Sequence, residues 1–340
     1  MNQRVKNLRF PFYLSSPSER RALALSALLL LAFLFMPGCM ILRGGRRAVA
    51  RQEVEQGHQL AARGLTDEAL AAFEKAIETS PRLAEAYLGA AQIYQVKGDY
   101  ETAAEAYGKA AQLRPSSFDA HFGQGLMLQL LERFSEAVRA YLRAVQLKPY
   151  DGPTNLNLAT SYLRLGEARQ ALPYAERAVS LDPGNGAAHM NLGAVYTELK
   201  RYDEALYEYE AALGILGPDP QVLRNLAETQ DRLEMYEDMY ETLLKLAKID
   251  PGAKTFERLG YACFKTRRYN AALASFESAV RIDPDYVAAL NGVGVCLLNQ
   301  YLMSESKDEK IHQRAIDMLR RSLQLNQNQP QILNLLNLYG

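Results

Sequence analysis

Few side chains in this sequence are spaced for catalysis. The four histidines, His58, His121, His189 and His312, are scattered, and so are the three cysteines, Cys39, Cys263 and Cys296. The sequence contains no HExxH pair to hold zinc, no glycine-rich phosphate loop, no dinucleotide fingerprint and no nucleophile elbow. Carboxylates abound, but Glu101 and Glu105, like Glu204 and Glu208, stand four residues apart. On a helix that spacing suits pairing along a solvated face better than a proton relay. These residues predict no catalytic centre, no cofactor and no metal site. What remains is amide hydrogen bonding and apolar contact, and here the spacing is regular: Asn157, Asn191 and Asn225 recur every 34 residues.

That interval belongs to the whole chain. Ala84–Ser117 reads AEAYLGAAQIYQVKGDYETAAEAYGKAAQLRPSS, and its pattern repeats from starts at 50, 84, 118, 152, 186, 220, 253 and 287. Apolar residues at helical spacing run from Tyr87 to Tyr94, Gly98-Asp99 breaks that helix, and a second stripe runs from Ala103 to Leu113. Position 20 is alanine at Ala69, Ala103, Ala137, Ala171, Ala205 and Ala272; position 27 is alanine at Ala76, Ala110, Ala144, Ala178, Ala212 and Ala279. Small residues there let two helices approach closely. Proline at position 32 (Pro81, Pro115, Pro149, Pro183, Pro251, Pro284) stops the second helix. Position 24 carries a ring at Phe73, Tyr107, Tyr141, Tyr209 and Phe276.

In this register the unit resembles the tetratricopeptide repeat, a helix-turn-helix motif of 34 residues. The resemblance implies an all-α, right-handed superhelix of about eight helix pairs over 50–329, with a capping helix over 330–340. Position-8 residues (Gly57, Gly125, Gly193, Gly260 and Gly294, with Ala91, Ala159 and Ala227) are expected at close helix crossings. Repeat six is one residue short and replaces two alanines by Met239 and Leu246, which reads as a looser unit. Repeat eight carries nine extra residues around Ser304–Lys310. His121 and His189 share position 4 two repeats apart, about 20 Å at ordinary helix spacing, so packing is their expected role. Cys263 and Cys296 read as small buried residues.

The resemblance also implies a function: a non-catalytic interaction scaffold that takes a partner segment in its concave groove, which first-helix positions 2, 5, 6, 9, 12 and 13 line. Asn157, Asn191 and Asn225 at position 6 would then form a ladder for a peptide backbone. Leu88, Phe122, Leu126, Leu156 and Met190 lie at other groove positions and would form an apolar patch beside it. The basic groups counted there, Arg164 and Arg224, are too few to clamp an acidic tail, so the expected partner is a largely uncharged protein or peptide segment. A targeting or regulatory subunit of a separate enzyme, such as a glycosyltransferase complex, is the alternative.

The 340 residues balance at 39 basic and 39 acidic, but unevenly. Residues 1–51 hold nine Arg/Lys against Glu19 alone, leaving 30 basic and 38 acidic residues in 52–340. An acidic array argues against nucleic acid, and a basic end beside an apolar run suits a membrane. Within residues 1–49, Ala22–Met36 is uncharged and is followed by Pro37-Gly38-Cys39. MPGC resembles a bacterial lipobox, with Cys39 as the lipidation candidate, whereas Ala22–Leu42 is long enough to stay as a membrane anchor. Both readings place the array in the bacterial envelope, outside the cytoplasm.

Overall fold

The computed structural model describes residues 45–340. All the regular structure among them is helical. The helices form pairs: α1 (45–62) with α2 (Thr66–Thr79), α3 (Ala84–Lys97) with α4 (Tyr100–Leu113), and α5 (Phe118–Leu130) with α6 (Phe134–Leu147). They continue as α7 (Gly152–Arg164) with α8 (Ala168–Leu181), α9 (Gly186–Glu198) with α10 (Tyr202–Leu216), and α11 (Pro220–Arg232) with α12 (Tyr236–Ile249). The last pairs are α13 (Ala253–Lys265) with α14 (Tyr269–Ile282) and α15 (Val287–Met303) with α16 (Glu309–Leu325); α17 (Pro330–Tyr339) ends the chain. Two compact units emerge, one ending at Met127 and one beginning at Leu128. The apolar run Ala22–Leu42 and Cys39 lie outside the described residues. No described helix is long and apolar enough to cross a membrane.

Local chemistry explains the joints. Position 34 caps the next first helix: Asp151, Asn185 and Asp219 accept hydrogen bonds from Thr154, Ala188 and Val222 backbone N–H groups at 3.0–3.2 Å, and Ser117 Oγ does the same for Ala120. Position 15, between paired helices, is left-handed in seven repeats. Glycine fills it at Gly64, Gly98 and Gly166, while Glu132, Lys200, Glu234 and Arg267 adopt φ of 57–61° there.

The alanines at positions 20 and 27 are all 2% exposed or less, so each pair closes on its smallest side chains. At position 8, a Cβ on Gly57 would stand 2.7 Å from the Phe73 ring, one on Gly193 2.8 Å from Tyr209, and one on Gly260 2.8 Å from Phe276. These helices cross where only glycine fits. Repeat six is not loose: Met239, Leu243 and Leu246 are buried to 2% or less and belong to one core with Leu223, Leu259 and Phe276. Larger side chains there fill the space that alanine leaves elsewhere. The insertion in repeat eight lengthens α15 and α16 to 17 residues each, and Lys307 Nζ closes the loop by donating to the Leu302 carbonyl at 2.9 Å. The terminal helix buries Ile332 and leaves Leu333 and Leu338 exposed.

Candidate partner-binding groove

In repeats two to five, position 4 of the first helix faces the preceding proline. Tyr87 Oη, His121 Nε2, Asn155 Nδ2 and His189 Nε2 lie 3.0–3.4 Å from the carbonyls of Pro81, Pro115, Pro149 and Pro183. His121 and His189 thus tie down the link between repeats, while His58 packs on Phe73 and His312 meets the Tyr339 carbonyl. His189 also meets Glu208 Oε2 at 2.6 Å through Nδ1, and both side chains are buried. The four-residue spacing predicts a solvated face for Glu208, but it is interior, because His189 on the paired first helix covers it. Glu204 remains half-exposed and pairs with Arg201. Cys263 and Cys296 are buried free thiols; burial raises both and pushes Cys296 up to about 12, so neither is poised as a nucleophile. Among the described residues no group of His, Cys, Asp and Glu could hold a metal ion.

Position-24 hydroxyls reach back to position 12 of their own repeat. Tyr107 donates to Gln95 Oε1 at 2.7 Å and Tyr141 to Gln129 Oε1 at 3.0 Å, and Tyr209 lies 3.3 Å from Thr197 Oγ1. Desolvation raises the Tyr107 and Tyr209 phenols to about 12. Several groove positions named from the sequence are therefore already engaged within the chain.

The three asparagines of the expected ladder are not three free amides. Asn191 is 9% exposed; its Nδ2 donates to Thr160 Oγ1 at 3.0 Å, and its Oδ1 is buried with no partner. Asn225 Oδ1 accepts from Gln221 Nε2 at 2.9 Å. Asn157 is half-buried. Leu88, Phe122 and Leu126 in the first unit are half-buried, with Phe122 stacked on Phe118 at 5.8 Å; Leu156 and Met190 in the second unit are half-buried too. The fully open apolar groove positions are Val96, 72% exposed, and Leu130, 51% exposed.

A groove near the C-terminus lies where the sequence predicts no site. It measures about 640 Å³ and has three walls. One is Glu257, Tyr261 and Phe264 on α13, the second is Ala288, Asn291, Gly292 and Val295 on α15, and the third is the segment 328–332, with Phe276 between them. Its first-helix residues occupy positions 2, 5, 6, 9 and 12, the set expected to face a ligand. A smaller hollow of about 410 Å³ on the same unit is lined by Arg224, Lys254 and Arg258 with Glu228 and Asp250. Counting Arg164 and Arg224 alone thus understated the basic groups at these positions. Arg258 is held by Asp231 at 3.1 Å, and Arg224 pairs with Asp250, so most of that charge is balanced locally. The signal for this site was in the sequence: Tyr261 and Phe264 sit at positions 9 and 12 of repeat seven, opposite Gly292 at position 6.

Helices paired at a 34-residue interval, closed on small side chains and with a groove between first helices, define a helical-repeat array. The tetratricopeptide repeat family matches residues 54–117, 88–152 and 156–221, and again 253–286. The chain belongs to the tetratricopeptide repeat family. Among solved structures, pilF of Pseudomonas aeruginosa is similar at 22% identity and a TM-score of 0.50, over 62% of this chain and 96% of that one. A tetratricopeptide repeat protein from Parabacteroides merdae is similar at 12% identity and a TM-score of 0.50, over 73% and 98%. Both likenesses concern the fold. No curated protein matches the sequence.

Proposed function

We propose that the protein is a non-catalytic scaffold, tethered to a membrane by its N-terminal segment, that holds an extended segment of a partner protein against its first helices. The observation that carries this reading is the 640 Å³ groove, whose walls are first-helix positions 5 and 9 of two successive repeats with an aromatic floor. A groove of this kind offers apolar contact and a few directed polar groups, and it has no nucleophile-base pair beside it. The tether is supported by the apolar run Ala22–Leu42 between basic flanks, with Cys39 in a lipobox-like sequence. In that setting the array stands in the cell envelope, where assembly or secretion components are its partner class.

A photo-crosslinking residue at Val295 in the full-length protein should capture a polypeptide that the same probe at exposed Glu210 does not. Equal capture at both positions would place the binding face elsewhere. Mass spectrometry of the captured partner then separates an envelope component from a lone enzyme, which would make the protein that enzyme's targeting subunit. The tether has its own test. Full-length protein should sediment with membranes, and Cys39→Ala should block lipid labelling if the cysteine is the anchor; unchanged labelling removes the lipoprotein form.

A further inference from the structure

The C-terminal groove contains one carboxylate, Glu257, among its aromatic and amide walls. We propose that Glu257 makes this groove a subsite for a cationic side chain, a lysine or arginine of the bound segment. The proposal rests on the groove being the partner-binding face.

The geometry comes from helical spacing. Glu257, Tyr261 and Phe264 stand at i, i+4 and i+7 on α13 and share one face. Asn291, Gly292 and Val295 oppose them from α15. The third wall is fixed by an amide relay whose orientation the backbone dictates. Gln329 Nε2 donates to the Ser322 and Asn326 carbonyls at 3.0 and 2.8 Å, and carbonyls only accept. Gln329 Oε1 must therefore face Asn291, whose Nδ2 donates to it at 2.6 Å. The segment leading into α17 is thereby pinned across the groove, leaving Glu257 on the opposite wall.

Glu257 is half-buried and, among the described residues, has no ion pair or hydrogen bond to another side chain. The nearest cations do not neutralise it: Arg258 is held by Asp231, and Lys254 is exposed one turn earlier. Desolvation raises its carboxyl despite both. A neutral or acidic segment would bury this carboxylate further with nothing to meet it, a loss on the order of 1–3 kcal/mol for an unsatisfied polar group and more for a charge. An ammonium or guanidinium would pair with it while its aliphatic stem lay against Tyr261, Phe264 and Phe276. The Tyr261 ring already has Arg258 Cζ at 5.9 Å and Lys265 Nζ at 5.8 Å, so its surroundings suit cations. The excess of acidic residues over 52–340 would steer a basic segment toward the array. The partner is thus basic and apolar at this point, in place of the largely uncharged segment the sequence led us to expect.

The test uses the full-length protein in mild detergent and three fluorescein-labelled, C-terminally amidated heptapeptides. They are identical, with leucine and valine flanks, except for a central Lys, norleucine or Glu. Fluorescence anisotropy should rank Lys above norleucine above Glu. Glu257→Gln should weaken the Lys peptide by about tenfold or more, the scale of one charge-assisted hydrogen bond, and should tighten norleucine, which no longer buries an unpaired carboxylate. Glu257→Lys should invert the ranking, and circular dichroism should show both variants folded. Equal Lys and norleucine binding that Val295→Asp abolishes would overturn the charge subsite while leaving the groove in place. Binding that Val295→Asp leaves intact, or no binding of any peptide, would overturn both.

Discussion

Replacing Gly193 by alanine tests the helix crossing in the middle of the array. A Cβ built there stands 2.8, 2.9 and 3.1 Å from Cε1, Cδ1 and Cζ of Tyr209. Carbon atoms rest at about 3.5–4.0 Å, so the ring must withdraw by roughly 0.7 Å. It has little room, since Tyr209 is 2% exposed and its hydroxyl is within hydrogen-bonding distance of Thr197. Overpacking of this kind destabilises by about 1–3 kcal/mol. The same substitution gains roughly 0.5–1 kcal/mol because alanine suits a helix better than glycine. Gly214, in α10 of the same repeat, isolates that gain: a Cβ there has nothing within 4 Å. Gly214→Ala should therefore stabilise, and Gly193→Ala should lie below it by about 1–3 kcal/mol in urea unfolding followed by circular dichroism. Combining Gly193→Ala with Tyr209→Leu should recover part of the difference, because the two residues are in contact. Equal stability of the two alanine variants would refute the assigned register.

Four further outcomes follow from the same contacts. Lys200→Gly, at a left-handed position with φ of 60°, should raise the unfolding midpoint, with a gain on the order of 1 kcal/mol; no gain would mean that the turn is not strained. His189→Ala should destabilise by about 1–3 kcal/mol because it leaves buried Glu208 without its hydrogen-bond partner, whereas His121→Ala, which loses the bond to the Pro115 carbonyl, should cost less in the same melt. Tyr107 ionises near 12 when folded and near 10 when unfolded, so its contribution is complete below pH 10 and lost as pH rises toward 12. Tyr107→Phe should shift alkaline unfolding, read by circular dichroism, to higher pH. The Glu257 carboxyl is raised in the folded protein, so the folded state holds its proton longer and stability falls as pH rises from the ordinary carboxylate range through the raised value. Glu257→Gln should flatten that segment of the pH-stability curve and stabilise at neutral pH.

The repeat was legible because its constraints are local. Alanine at positions 20 and 27, proline at 32 and a ring at 24 each meet neighbours within one or two helices, so a 34-residue period exposes them. The site was less legible because exposure depends on who else occupies the space. Phe122 looked open by position, yet it is half-buried and stacks on Phe118 one turn earlier. Asn191 looked free, yet Thr160 of the preceding first helix takes its amide. Glu208 looked solvated by its spacing from Glu204, and only the approach of His189, 19 residues away, makes it interior. The C-terminal groove depends on Gln329 reaching Asn291 across 38 residues, a contact that no period announces.

Position 6 shows how one residue per repeat decides where this array can open. Where it is glycine, at Gly89, Gly123 and Gly292, a Cβ would fall 2.3–2.5 Å from the position-24 ring of the repeat before, Phe73, Tyr107 or Phe276. Glycine thus makes room for a buried ring against the first helix, and at Gly292 the ring and the glycine both line the 640 Å³ groove. Where position 6 is asparagine, at Asn191, the residue at position 24 of the preceding repeat is Ala175, with no ring to raise, and the amide crosses to Thr160 instead. Asn191 therefore stitches α9 to α7, while Gly292 beside Phe276 leaves a hollow with an aromatic floor. A segment bound along the second unit would meet stitched surface at α7 and α9 and an open, acid-bearing pocket between α13 and α15, so its anchoring residue belongs at the C-terminal end of the array.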